Sequence, residues 1–206
     1  MFTGIVQEVG TVARVERSKG LTRLTIASPK TASRVGRLDS VAVNGVCLSV
    51  VAARHGTMLF EVIRETQHLT TLGTLRNGER VNVEPSLMVS DRLSGHVVFG
   101  HVDGVGRVAS RRQLQGELVL TIRVAPALRT LLVPKGPVAV DGVSLTIGKA
   151  LGPSTFTVHL IPETLRQTTL ASRRVGDGVN IELDYLAKLT RQFVRRRRGA
   201  IGIEAS

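Results

Sequence analysis

Asp141-Gly142-Val143-Ser144-Leu145-Thr146-Ile147 restates a phrase that the chain already holds 97 residues earlier, Asn44-Gly45-Val46-Cys47-Leu48-Ser49-Val50. The echo extends outward. Glu163-Thr164-Leu165-Arg166-Gln167-Thr168-Thr169-Leu170 repeats Glu65-Thr66-Gln67-His68-Leu69-Thr70-Thr71-Leu72, and Val179-Asn180-Ile181-Glu182 repeats Val81-Asn82-Val83-Glu84, each 98 residues apart. A period near one hundred residues is too long for a solenoid, whose repeats run about 20–50 residues, and indicates tandem domains. Two related sites are therefore expected.

Within each copy the apolar residues alternate. Leu118, Leu120, Ile122 and Val124 fall on one face of an extended segment, as do Phe156, Val158 and Leu160. In the first copy Val9 to Val12, Leu21 to Ala27, Val41 to Val51, Met58 to Ile63 and Val81 to Glu84 fill the corresponding slots, with Ser28-Pro29, Asn77-Gly78 and Gly152-Pro153 as breaks. Five or six short strands per copy with little helix predict an all-β chain of two small antiparallel Greek-key-like barrels, since closure removes exposed edges. A helical turn is expected over Ala125 to Val133, with Pro126 near its start. The expected domains are residues 1–88 and 89–184, with a seam near Pro85 to Asp91. After Asp184 the period becomes helical: Leu186, Leu189, Phe193 and Val194 predict a short amphipathic C-terminal α-helix within residues 185–206, ending in a basic tail.

The 206 residues, 42% of them hydrophobic, suffice for two small cores. Cys47 is the sole cysteine, so no intrachain disulfide forms and a reducing compartment is the simpler expectation. The opening Met1-Phe2-Thr3-Gly4-Ile5-Val6 has no basic n-region, and no run approaches the ~18 apolar residues of a membrane span, so a cytoplasmic protein without a membrane partner is expected. The net charge of +12 raises nucleic acid as a partner. Its distribution argues against one: residues 185–206 carry six basic residues against one acid, Arg195 to Arg198 read as a solvated helix end, and five Phe and one Tyr offer few platforms for base stacking.

Together the opening Met1 to Val6, the Asn44 to Leu48 block, Gly95-His96, Gly100-His101-Val102-Asp103-Gly104, Asp141 to Thr146 and Ile161-Pro162-Glu163-Thr164-Leu165 resemble the riboflavin synthase family over Met1 to about Asp184. The resemblance implies a homotrimer of double lumazine-binding barrels that uses no cofactor or metal. Its small-molecule substrate would be 6,7-dimethyl-8-ribityllumazine, two molecules per site between neighbouring subunits. A four-carbon unit passes from one to the other, giving riboflavin and 5-amino-6-ribitylaminouracil. A lumazine or flavin carrier without turnover is the alternative on the same fold.

The resemblance also implies site residues. In the second barrel these are Ser144, Leu145 and Thr146, then His159, Leu160, Ile161, Pro162, Glu163 and Thr164, with Lys135 as a donor to a ring or ribityl oxygen. In the first barrel Cys47, Leu48 and Ser49 correspond, with Gly4, Ile5 and Val6 approaching the ring through their backbone, and Glu61, Val62, Ile63, Arg64, Glu65 and Thr66 adding contacts. Gly100, His101 and Val102 complete the set. Cys47, His101, Ser144 and Asp184 are the candidate catalytic residues, His101 being preferred over His96 for moving a proton. Asp141 is read as an orienting acid or as part of an Asp-Gly turn. The five-residue spacing of His96 and His101 matches no common metal-ligand pattern, so no metal is expected. Ser49, Ser94 and Gln67-His68 depart from the family pattern, the first barrel having drifted more.

Overall fold

The computed structural model describes residues 1–152 and 154–200; the side chains at 150, 151 and 195–200, and with them the Arg195 to Arg198 run, lie outside the described residues. The alternating segments close into a barrel twice. The first copy runs β1 (Glu8–Ser18), β2 (Leu21–Ala27), α1 (Pro29–Ala32), β3 (Ser40–Val43), β4 (Val46–Arg54), β5 (Thr57–Ile63), α2 (Arg64–Leu69), a 3₁₀ turn (Thr71–Thr74) and β6 (Arg80–Pro85). The second repeats it as β7 (Gly104–Leu114), β8 (Glu117–Arg123), α3 (Pro126–Arg129), β9 (Pro137–Val140), β10 (Val143–Leu151), β11 (Thr155–Leu160), α4 (Pro162–Gln167), a 3₁₀ turn (Thr169–Ser172) and β12 (Gly178–Leu183). Helix α5 (Tyr185–Ala200) follows, at the place the helical period predicts.

Both barrels are antiparallel and closed, in the order β1-β2-β5-β4-β3-β6 and its equivalent β7-β8-β11-β10-β9-β12. Closure needs bent strands. Register shifts lie between Val12 and Arg14 in β1 and between Val108 and Ser110 in β7, the same place in each copy. Leu24, Ile26 and Phe60 fill the first barrel, and Leu118, Leu120, Ile122, Phe156 and Val158 fill the second. The turn expected over Ala125 to Val133 is α3, with Pro126 in its first turn.

The span Val41 to Val51 is not one strand. Asn44 and Gly45, at φ 45° and 77°, turn β3 back into β4, and Asp141 and Gly142, at 45° and 76°, do the same between β9 and β10. Two central residues with positive φ make a type I′ hairpin, for which Asn-Gly and Asp-Gly are the preferred pairs. The repeated phrase that marks the duplication is therefore a turn followed by a strand.

These two hairpin turns meet back to back at a pseudo-twofold axis. A Cβ on Gly45 would lie 2.5 Å from the Gly142 nitrogen, and one on Gly142 would lie 2.7 Å from the Gly45 nitrogen, so only glycine fits. Asn82 Nδ2 donates to the Asp141 carbonyl at 2.9 Å, and Asn180 Nδ2 donates to the Asn44 carbonyl at 2.8 Å. The same asparagines accept from Thr169 N and Thr71 N, each at 2.8 Å. On the axis, Phe2 and Val98 exchange backbone hydrogen bonds and pack with Ala42 and Ala139.

One corner breaks the symmetry. Asp141 is fully buried and accepts from Asn180 N and from the Arg173 guanidinium, at 2.7 Å for the shorter of two bonds. In the first copy Asn44 accepts from Asn82 N, and buried Leu75 stands at the position equivalent to Arg173. Burial pushes the Asp141 carboxyl above its ordinary range, with Arg173 pulling the other way.

Candidate functional site

A closed barrel still has a place where two neighbouring strands part. In the first barrel the β4–β5 ladder ends at Val50–Phe60; beyond it Cys47 to Ser49 pair only with β3, and Glu61 to Ile63 only with β2. In the second barrel the β10–β11 ladder ends at Ile147–Val158, and Ser144 to Thr146 pair with β9. Each gap leaves the backbone of the repeated strand open on one side. An unpaired edge must find a partner or water.

The partner comes from the other copy. Cys47 N donates to the Gly100 carbonyl at 3.0 Å, and Ser144 N donates to the Gly4 carbonyl at 2.7 Å. Val102 packs on the core of the first barrel and Val6 on the core of the second. The approach is close: a Cβ on Gly100 would lie 2.5 Å from Cys47 Cβ, and one on Gly4 would lie 2.7 Å from Ser144 Cβ. Both glycines have φ near +75°, a left-handed backbone that any side chain resists. Gly4, Ile5 and Val6 therefore stand at the second barrel, not at the first where the sequence reading put them, and Gly100, His101 and Val102 stand at the first.

A buried glutamate holds each crossing segment. Glu84 accepts from Thr3 N, Thr3 Oγ1 and Gly4 N at 2.7 to 3.1 Å. Glu182 accepts from Phe99 N and Gly100 N at 2.7 and 2.9 Å. Burial raises both carboxyls above their ordinary range while these donors work against it. Both glutamates sit in the repeated Val-Asn-x-Glu phrase, which signals the duplication without disclosing this role.

The two shelves differ in their reactive groups. At the second, His96 Nδ1 and Ser144 Oγ are 2.7 Å apart, and a Cβ on Gly95 would lie 2.1 Å from the Thr3 carbonyl and 3.0 Å from Ser144 Oγ. His96 is half-buried; burial depresses its pKa below the ordinary 6.5, with the nearby Asp184 charge pulling it up. The depressed pKa favours the neutral ring, which can accept a proton. Asp184 accepts from Leu186 N at 3.2 Å and so also starts α5. The first shelf offers the half-buried Cys47 thiol. His101, the sequence-level choice for moving a proton, is exposed and stacks on Phe99 with ring centroids 5.9 Å apart. At the first shelf Cys47 stands where Ser144 stands at the second, so among the described residues this imidazole–hydroxyl pair is not repeated there.

The remaining candidates divide by burial. Leu48, Val62 and Leu160 lie in the barrel cores, which leaves only their backbone for a ligand, and Leu145 is half-buried against the second core. Ile63 and Ile161, the equivalent residues that open α2 and α4, are 56% and 59% exposed: an apolar face beside each shelf. Ser49, Thr146, Arg64, Glu65 and Pro162 are exposed, and Thr66 and Thr164 are half-buried in the same two helices. Glu61 pairs with Arg23, His159 with Glu117 and Glu163 with Arg166, all at the surface. Lys135 is exposed in a left-handed conformation, its N–H on the Ile147 carbonyl at 2.9 Å.

Comparison with known proteins agrees with this doubling. A lumazine binding domain model matches residues 3–86 and again 99–184. Riboflavin synthase of Mycobacterium tuberculosis is 42% identical over 199 residues, covering 95% of this chain and 98% of that protein. Riboflavin synthase of Bacillus subtilis is 36% identical over 196 residues, covering 95% and 91%. The crystal structure of LumP complexed with riboflavin superposes with a TM-score of 0.83 at 24% identity, over 89% of this chain and 100% of that one, and shares its fold.

Proposed function

Because this chain belongs to the riboflavin synthase family, we propose that its two shelves hold the two 6,7-dimethyl-8-ribityllumazine molecules of a dismutation. The enzyme moves a four-carbon unit from one lumazine to the other, yielding riboflavin and 5-amino-6-ribitylaminouracil. The carrying observation is the pair of equivalent strand gaps, each completed by the other copy's glycine segment and each flanked by an exposed isoleucine. Donor and acceptor are the same molecule, so the reaction calls for two sites alike in binding and unlike in chemistry. The duplication supplies the first property and the His96–Ser144 pair the second.

In this reading Ile63 and Ile161 cover apolar ring faces, and backbone groups around Gly4 and Gly100 meet the pyrimidine edges. Holding two dilute molecules in one stack is worth effective concentrations up to about 10⁵–10⁸ M. The carbon-7 methyl of the lumazine is acidic, and neutral His96, bonded to Ser144, is the group suited to take its proton. Cys47 serves the other shelf as a contact residue. The shelf of one subunit faces the complementary shelf of a neighbour in a homotrimer. Support for assembly comes from α5, where Leu186, Phe193 and Val194 are 69%, 65% and 48% exposed, and from the cleft of about 600 Å³ that Leu186 and Val194 form with Val133. A cytoplasmic location fits the lone cysteine, and no described helix is long and apolar enough to cross a membrane.

The test is anaerobic incubation with 6,7-dimethyl-8-ribityllumazine and a chelator, following absorbance. Riboflavin should form at half the rate at which lumazine is lost. Tight binding without product would instead make the chain a carrier.

A further inference from the structure

The two crossing segments are not held equally. Segment Thr3 to Gln7 is gripped from its barrel by Glu84, and Gln7 N donates to the Val83 carbonyl at 3.0 Å. Segment Phe99 to Asp103 has the same two supports, Glu182 and a bond from Asp103 N to the Ile181 carbonyl at 2.8 Å, and then a further set. Asp103 Oδ2 accepts from Leu183 N at 2.8 Å, and Lys188 Nζ reaches both Asp103 oxygens at 2.8 and 2.7 Å. The Tyr185 ring packs on Phe99 at 5.0 Å between centroids. Both Lys188 and Tyr185 belong to the first turn of α5. Among the described residues the first copy has no such grip: Gln7 replaces Asp103, and Pro85, with no N–H to give, replaces Leu183.

We propose that α5 is a clamp on the first-barrel site, with Lys188 and Tyr185 as positioning residues that fix Gly100 against Cys47 from the far side of the crossing segment. The mechanical path is short. Lys188 holds Asp103, which lies three residues from Gly100; Tyr185 holds Phe99, its immediate neighbour; and Gly100 accepts the Cys47 N–H. The ion pair is largely shielded, its side chains 24% and 20% exposed, so it resists solvent screening better than a surface pair. The first turn of α5, through Lys188 and Tyr185 and not through the rest of the helix, thus sets the geometry of a site on the other barrel. That the site binds lumazine rests on the function proposed above; the clamp itself does not.

Cys47 reports on the clamp directly, being the only thiol in the chain and lying under Gly100. The measurement is the pseudo-first-order reaction of the whole protein with an aromatic disulfide that releases a coloured thiolate, alongside thermal unfolding, sedimentation and steady-state lumazine kinetics. Lys188→Met should react about fivefold faster, the equivalent of about 1 kcal/mol in segment opening. It should raise KM more than it lowers kcat. Tyr185→Leu should show a smaller acceleration, about twofold, and Lys188→Arg should return toward the wild-type rate. Arg191→Ala loosens α5 from α3 by removing its bonds to Thr130 and Ala127 without touching Phe99 to Asp103, and should leave the thiol rate unchanged. Equal thiol rates in Lys188→Met and wild type, or equal acceleration by Arg191→Ala, would overturn the clamp. Absence of riboflavin from the wild-type protein would overturn the function and leave the thiol comparison standing.

Discussion

Replacing Gly100 with alanine tests whether the crossing segments must touch the repeated strands. Three costs accumulate. The residue has φ +76°, where a side chain costs about 1–2 kcal/mol. The new methyl would lie 2.5 Å from Cys47 Cβ and 2.7 Å from Cys47 N, closer than real Cβ atoms come, so the segment must lift, at about 1–3 kcal/mol for overpacking. Lifting stretches the 3.0 Å bond between Cys47 N and the Gly100 carbonyl, worth about 0.5–1.5 kcal/mol net. The expected loss is about 3–5 kcal/mol, part of which the segment avoids by detaching locally. Gly20→Ala is the control: it has φ +83° with nothing within 4 Å of a Cβ, and should lose only the backbone cost of about 1–2 kcal/mol. Urea unfolding of both variants, with lumazine titrations by fluorescence, measures the difference. Gly100→Ala should lose at least 1 kcal/mol more than Gly20→Ala and bind one lumazine fewer. Equal losses, with lumazine binding intact in Gly100→Ala, would refute close contact as the reason for glycine.

Arg173→Leu should destabilise the protein by about 3–5 kcal/mol in urea, because it strands the buried Asp141 carboxylate; adding Asp141→Asn should recover most of that, since Asn44 and Leu75 already fill the equivalent corner, and additive losses would argue against the pairing. The activity of the wild-type protein should fall on acidification with a midpoint below pH 6.5, because the lowered pKa of His96 keeps the ring neutral to lower pH than a free histidine. His96→Gln should lower kcat about 10²-fold or more and abolish that acid limb. The same depressed pKa means His96 contributes stability above its unfolded-state pKa of about 6.5, lost as pH falls through the folded value; the glutamine variant should lose less stability than wild type over that range.

Much of the architecture is legible in the chain because strand periodicity is local. Alternation at Leu118 to Val124 and at Phe156 to Leu160 became β8 and β11, and the helical spacing after Asp184 became α5. The span Val41 to Val51 contains a turn at Asn44-Gly45, a strong hairpin signal that the continuous apolar pattern on both sides masks. The candidate site was legible as two lists of residues, but their distribution between barrels was not. Gly95-His96 and Gly100-His101 look like neighbours on one strand, yet Gly95-His96 lies against Ser144 and Gly100 against Cys47. Phe99 and Asp103 carried no chemical signature, and only packing against Tyr185 and Lys188 gives them a part.

The sequence alone determined that there are two barrels of one design, because apolar alternation, turn residues and the doubled phrases act over a few residues and need no distant partner. The tertiary structure decided which segment closes which barrel. An open strand edge at Cys47 or Ser144 can be satisfied by the backbone of any extended segment, and backbone groups are the same in both copies. The choice falls to contacts no local pattern contains: the Phe2–Val98 pairing on the axis, the Gly45–Gly142 contact, and two buried glutamates holding the segments across it.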